Sequence, residues 1–140
     1  MPDESTTPDL AELVRTQLEA LTRNDLDAAL RFYAPDCVIE LDLGPPLEGV
    51  SAIRAFLEEF LGSYVEFEWE LEEVLDLGNG VTFAVIRLHG RPVGSSGHVQ
   101  MRLASVAART DELVTWVKNY TETDIDKARA AAERLAEKRG

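Results

Sequence analysis

Near the middle of this chain the hydrophobic period changes from that of a helix to that of a strand, and the change divides the fold in two. From residue 65 onward, Val65, Phe67, Trp69 and Leu71 alternate with Glu66, Glu68, Glu70 and Glu72. A period of two sends the apolar set to one side of a sheet and the carboxylates to the other, so this segment is a half-buried strand with a solvated acidic face. Gly78-Asn79-Gly80 has the residues a tight hairpin turn demands, and residues 81–89 follow as a second strand. The loop at 90–97 leads to a third strand at 98–108, and Asp111-Glu112 turns the chain into a fourth at 113–121. The expectation is a four-strand antiparallel meander.

Before residue 65 the pattern is helical. Thr7-Pro8 places a capping oxygen before a proline suited to the first helical position. Leu10, Leu13, Val14, Leu18 and Leu21 then form one stripe, interrupted by a single polar residue, Gln17. Asn24 can cap a short second helix with Leu26, Ala29, Leu30 and Tyr33 inward, ended by Pro35. Residues 38–43 read as a strand broken by Gly44-Pro45-Pro46. A third helix starts near Ser51, turns Ile53, Phe56, Leu57, Phe60 and Leu61 inward, and stops at Gly62. After the sheet, Thr123 and Asp126 approximate a capping box for a last helix from Asp124 to about Lys138. Its thin stripe of Ile125, Ala128, Ala132 and Leu135 suits docking on the domain edge or on a partner subunit.

A chain of 140 residues can bury one stable core. The division expected is a mobile N-terminus at 1–7, a cavity domain at 8–121 and a C-terminal helix at 122–140. With 26 acidic against 14 basic residues, the formal charge of −12 repels phosphate backbones, which excludes nucleic acid as a partner. No apolar run reaches the length of a membrane span, and the acidic N-terminus lacks the features of a secretory signal, so a soluble, cytoplasmic protein is expected. The lone Cys37 cannot form an internal disulfide. His89 and His98, nine residues apart, lack a third ligand with metal-site spacing. No metal and no cofactor are expected.

Two blocks carry a resemblance. They are Asn24-Asp25-Leu26-Asp27-Ala28-Ala29-Leu30-Arg31-Phe32-Tyr33-Ala34-Pro35-Asp36-Cys37-Val38 and Gly49-Val50-Ser51-Ala52-Ile53-Arg54-Ala55-Phe56-Leu57. Together with the strand from Trp116 to Tyr120, they resemble the nuclear transport factor 2-like superfamily and, within it, the SnoaL-like group. The resemblance implies an α+β fold: a cone-shaped, curved antiparallel β-sheet packed on three N-terminal helices, enclosing a cavity, with a C-terminal helix added. It also implies a small apolar molecule as ligand, and a homodimer through the outer sheet face, where Ile86, Leu88, Val114, Trp116 and Tyr120 would otherwise form an exposed patch.

Set against that superfamily, the pocket would be lined by Gln17, Phe56, Phe60, Phe67, Trp69, Phe83, Val85, Val99, Met101 and Val117. Arg87, His89 and Asn119 would form a polar patch on its wall and carry any catalysis, with Glu40 and Asp42 as alternates if a bulge turned one of them inward. The plainer reading leaves Arg87 salt-bridged to Glu40 or Asp42 at the rim, His89 at an exposed strand end and Asn119 satisfying a backbone group.

The residue sets of active relatives match only in part. In ketosteroid isomerases the helix-one tyrosine falls on Gln17, the later aspartate on Val99, and the base on Leu41 or Glu40, so the oxyanion pair is missing. In limonene-type epoxide hydrolases the arginine falls on Arg87, but the two carboxylates fall on His89 and Asn119. SnoaL-type cyclases need one acid/base group in an apolar pocket, which His89 or Glu40 could supply. The expected function is a SnoaL-like small-molecule cavity with isomerase- or cyclase-type acid/base chemistry on a carbonyl-containing ligand. The alternative is a non-catalytic binding or dimeric interaction module of the same fold.

Overall fold

The computed structural model describes residues 9–140. In chain order the elements are α1 (Leu10–Thr22), α2 (Leu26–Leu30), β1 (Tyr33–Glu40), β2 (Leu47–Glu48), α3 (Val50–Gly62), β3 (Tyr64–Gly78), β4 (Val81–Pro92), β5 (Val99–Thr110), β6 (Leu113–Thr121), a 3-10 turn at Glu122–Asp124, and α4 (Ile125–Arg139). The expected Thr7-Pro8 helix start lies outside the described residues. Asp9 caps α1, accepting from the Ala11 amide at 3.1 Å. Asp25 rather than Asn24 caps α2, accepting from the Ala28 amide at 3.2 Å, while Asn24 takes the left-handed conformation at φ +61°. α2 closes at Leu30, so Tyr33 belongs to a strand and not, as its spacing suggests, to the inner face of a helix.

Among the described residues, six strands form one curved sheet in the order β2-β1-β6-β5-β4-β3. β3 through β6 make the expected antiparallel meander, joined by β1, which runs parallel to β6. A meander alone would leave the β6 edge unpaired, and β1 closes that edge. The β1–β6 register slips between Tyr33 and Val38, around Pro35, which has no amide hydrogen to give the ladder. β3 carries slips after Leu71 and after Asp76. Such irregularities bend a strand and raise its twist, which gives the sheet its concave face.

Two apolar clusters lie on opposite sides of the sheet. On the concave side Val14, Leu18 and Leu21 of α1 and Ile53 and Leu57 of α3 pack over Ala84, Ile86, Leu88, Val114 and Val117. On the convex side Ala128, Ala132 and Ala136 of α4 pack over Val81, Phe83, Val85, Ala104 and Val106. The small alanine side chains let the helix lie close against the strands. Arg129 anchors the middle of α4 with two parallel hydrogen bonds to Glu73, at 3.0 and 3.1 Å, and its guanidinium sits 4.7 Å from the centre of the Phe83 ring.

This arrangement corrects the expected outer face. Ile86, Leu88 and Val114 point into the concave core, and Trp116 and Tyr120 pack with the α4 cluster. The apolar patch that argued for a two-fold contact is thus covered from within the chain. The cause lies in β4, which is apolar on both sides, so that alternation alone gives no sign of which side meets the helices. Among the described residues, no helix is long and apolar enough to cross a membrane.

Candidate active site

The concave face and helices α1 and α3 enclose a cavity of about 130 Å³. Strand register sets its wall as a series of rows. Tyr33 pairs with Val114 and Val114 with Arg109, so these three stand side by side across β1, β6 and β5. Val117, Ala107 and Thr82 form the next row, and Asn119, Ser105 and Ala84 the one after. Val114 is 1% exposed, Thr82 2% and Arg109 4%, whereas Phe56 on α3 is 37% exposed. Val114, Thr82 and Arg109 therefore mark the inner end, and Phe56 marks the mouth.

The inner end holds an unusual group for an apolar chamber. The Arg109 guanidinium lines the cavity and donates from Nη1 to the Thr82 hydroxyl at 3.3 Å, while its buried Nε has no partner among the described residues. No described carboxylate forms an ion pair with it within 4.0 Å. Desolvation draws its pKa down, opposed by the charges of Tyr33 and Asp76 acting at longer range. Its backbone is held from both sides. The Arg109 amide donates to the Gly80 carbonyl at 2.8 Å, and the Arg109 carbonyl accepts from Arg139 Nη2 at 2.6 Å. Gly80 is required here, since a Cβ at this position would lie 2.5 Å from the Arg109 carbonyl oxygen.

Tyr33 is the second titratable lining group. Burial pushes its pKa up to about 12, with Cys37 acting in the same direction and the Gln17 hydrogen bond and Arg109 opposing. Gln17 also donates from Nε2 to the Ala29 carbonyl at 3.4 Å. The indole Nε1 of Trp69 is buried without a partner, while the Trp69 backbone amide donates to the Thr22 hydroxyl at 3.0 Å. Among the described residues that line the chamber only Tyr33 and Arg109 are titratable, so a neutral phenol and a guanidinium face it with no described carboxylate or imidazole beside them.

Of the residues expected in the pocket, Gln17, Phe56, Trp69, Val117 and Asn119 line it. Phe60 and Phe67 stand behind Trp69 in an aromatic cluster, with Phe60 and Phe67 ring centres 5.1 Å apart and those of Phe67 and Trp69 5.5 Å apart. Val99 and Met101 lie at an exposed strand end, and Phe83 and Val85 sit under α4.

The expected inward direction of Arg87 and His89 is reversed, because both project from the convex face. There Glu70 pairs with Arg87 and Glu68 with His89 across β3 and β4. Arg87 donates to Glu72, which also accepts from Arg102 Nε at 2.9 Å, and Arg102 reaches on to Glu122 at 3.2 Å. Desolvation pushes Glu72 upward, but the hydrogen bonds from Arg87 and Arg102 outweigh it and hold this carboxyl below its ordinary value. His89 bridges Glu70, at 2.8 Å, and Gln100, at 3.1 Å. Glu40 also faces away from the cavity, accepting from the Trp116 indole at 2.7 Å, and Asp42 is exposed beyond the end of β1. His89 and His98 share a shallow depression with Glu66 and Glu68, and no three described metal-ligating side chains come together.

Sequence reasoning missed Arg109, Tyr33, Thr82 and Ser105. The signal for the arginine was parity: Leu103, Ser105, Ala107 and Arg109 share one side of β5, but ending that strand at 108 removed Arg109 from view.

Comparison with known proteins bears on this geometry. The family model described as a SnoaL-like domain matches residues 14–117. A search of curated proteins finds no match. Among solved structures, an NTF2-like protein of unknown function from Burkholderia pseudomallei is 18% identical, with a TM-score of 0.73 over 88% of this chain and 97% of that one. A protein from Xanthomonas campestris described as a candidate polyketide cyclase is 24% identical, with a TM-score of 0.67 over 86% and 94%. A protein of ketosteroid isomerase-like fold from Catenulispora acidiphila, in complex with trimethylamine, is 14% identical, with a TM-score of 0.70 over 89% and 95%. At these identities the likeness is one of fold.

Proposed function

Because the chain belongs to the SnoaL-like domain family, we propose that it binds a small, largely apolar molecule carrying a polar or carbonyl group in the concave cavity. The observation that carries this reading is the chamber itself: about 130 Å³, apolar toward its mouth, with polar side chains gathered on the sheet side. Its size is close to that of engineered cavities of about 150 Å³ that take up benzene. The ligand's polar group would meet Arg109, Tyr33 and Thr82, and its apolar body would lie against Leu18, Ile53 and Trp69.

This lining supports holding a ligand more than moving protons. A general base works best with a pKa near the working pH, whereas Tyr33 is pushed up to about 12 and a guanidinium is always protonated. Cyclase- or isomerase-type chemistry is the second reading, favoured by the placement of Tyr33 and Arg109 on either side of Val114. From there both could stabilise negative charge growing on one carbonyl oxygen. Such a site would suit only a substrate acidic enough to enolise without a strong protein base.

The test is an amide-resolved NMR titration with cyclohexanone. Shifts confined to residues around Ala84, Ala107 and Val117, and lost when Ala107→Phe fills the chamber, would support the reading. Shifts centred on Arg87 and His89 would reject it.

A further inference from the structure

Arg109 sets a charge problem that the described residues do not solve. A guanidinium offers five N–H donors and keeps its charge in proteins, yet this one is 4% exposed and has, among the described residues, a single hydroxyl as side-chain acceptor. Moving an isolated charge out of water costs several kcal/mol even after relaxation, and buried charges are normally paired. Elsewhere in this chain arginines find carboxylates readily. Arg87 and Arg102 share Glu72, Arg129 holds Glu73, and Arg54 meets Asp27. Arg109 is the arginine whose donors line a ligand-sized chamber instead.

We propose that the ligand of this cavity is an anion, a small ring or branched aliphatic body bearing a carboxylate, with Arg109 as its charge partner; the assignment rests on the cavity reading above. The planar fork of a guanidinium matches the two oxygens of a carboxylate better than a single carbonyl. Tyr33 adds to the match. A phenol is neutral at neutral pH, and burial only pushes that of Tyr33 further up, so its hydroxyl can donate and does not repel an anion. Asn119 and Ser105, paired across β5 and β6, supply further neutral polar groups on the same wall. Among the described residues, no carboxylate lines the chamber to compete. The Arg109 backbone, fixed by Gly80 and Arg139, spares the site part of the cost of ordering on binding.

Calorimetric titration with benzoate and benzamide, which share a shape and differ in charge, tests the assignment. The expected result is benzoate binding more tightly by about tenfold or more, the range of a hydrogen bond to a charged group. Arg109→Met should remove that preference, leaving the two ligands bound within about twofold of each other, and Arg109→Lys should keep part of it. If benzamide binds the wild-type chain as well as benzoate does, the anion assignment falls and the cavity reading stands. If neither binds at millimolar concentration, both fall. The wild-type comparison decides the matter even where a variant does not fold.

Discussion

Trp116 Nε1 donates to Glu40 Oε2 at 2.7 Å across the parallel β1–β6 pair, on the side of the sheet away from the cavity. The bond ties a half-buried indole to a carboxylate and removes Glu40 from any role in the chamber. Replacing Glu40 with Ala should lower stability by about 1–2 kcal/mol, the cost of stranding a donor that had a charged acceptor. Urea unfolding followed by tryptophan fluorescence measures this, and cyclohexanone affinity should not change. Weakened binding with unchanged stability would instead put the carboxylate in the site.

Tyr33 predicts a loss of stability in alkali. Folded Tyr33 keeps its proton up to about 12, while an unfolded tyrosine releases it near 10.0. Between these values the unfolded chain binds fewer protons than the folded one, so rising pH favours unfolding. The contribution is complete below pH 10 and gone above about pH 12. In ultraviolet titration Tyr33→Phe should lose the last tyrosine to ionise, and its unfolding midpoint should fall less steeply over this interval. Identical titration curves for the two proteins would contradict the placement of the hydroxyl.

Cys37 is fully buried in the concave core, and burial, aided by the Asp36 charge, pushes its thiol up to about 11. Since the thiolate is the reactive form, iodoacetamide should leave the native protein almost untouched at neutral pH and label it fully in denaturant. Rapid labelling of the folded chain would show that this strand opens far more often than its packing implies.

The β5–β6 turn offers a stabilising substitution. Asp111 and Glu112 both have left-handed backbone, at φ +53° and +74°, which suits the twist of a two-residue hairpin but strains a residue bearing a Cβ. Glu112→Gly should raise stability by about 0.5–1 kcal/mol, the left-handed strain relieved less the entropy glycine loses on folding. A higher melting temperature with unchanged ligand binding is the expected readout.

Helices α3 and α4 were legible because their apolar stripes have one side each, whereas α2 closed a turn earlier than its spacing gave. α3 runs from Val50 to Gly62 and α4 from Ile125 to Arg139, within a residue or two of the positions their sequence patterns give. β3 was equally plain, since its glutamates mark the outer face. β4 was not, because Phe83 and Val85 are as apolar as Ala84 and Ile86, and placing Arg87 and His89 indoors by family likeness turned the strand over. Charge could have righted it. Cross-strand neighbours share a face, so the acidic row of β3 calls for basic side chains beside it, and Arg87, His89 and Arg91 are those that β4 has to offer. The helix that covers Phe83 lies about forty residues downstream, too far for any local pattern to anticipate.

That covering helix also has a place in time. Its last turn is fastened to the β3–β4 hairpin, with Asn79 Nδ2 donating to the Ala136 carbonyl at 2.6 Å and Arg139 Nε to the Asn79 carbonyl at 2.8 Å. A ribosome makes the hairpin well before it makes these partners, so during synthesis Phe83 and Val85 wait without their lid while the helices for the opposite face are already present. The nascent chain can close its ligand chamber first and must keep its back from sticking to other chains until residues 125–139 emerge, which makes this segment the step at which folding and aggregation compete.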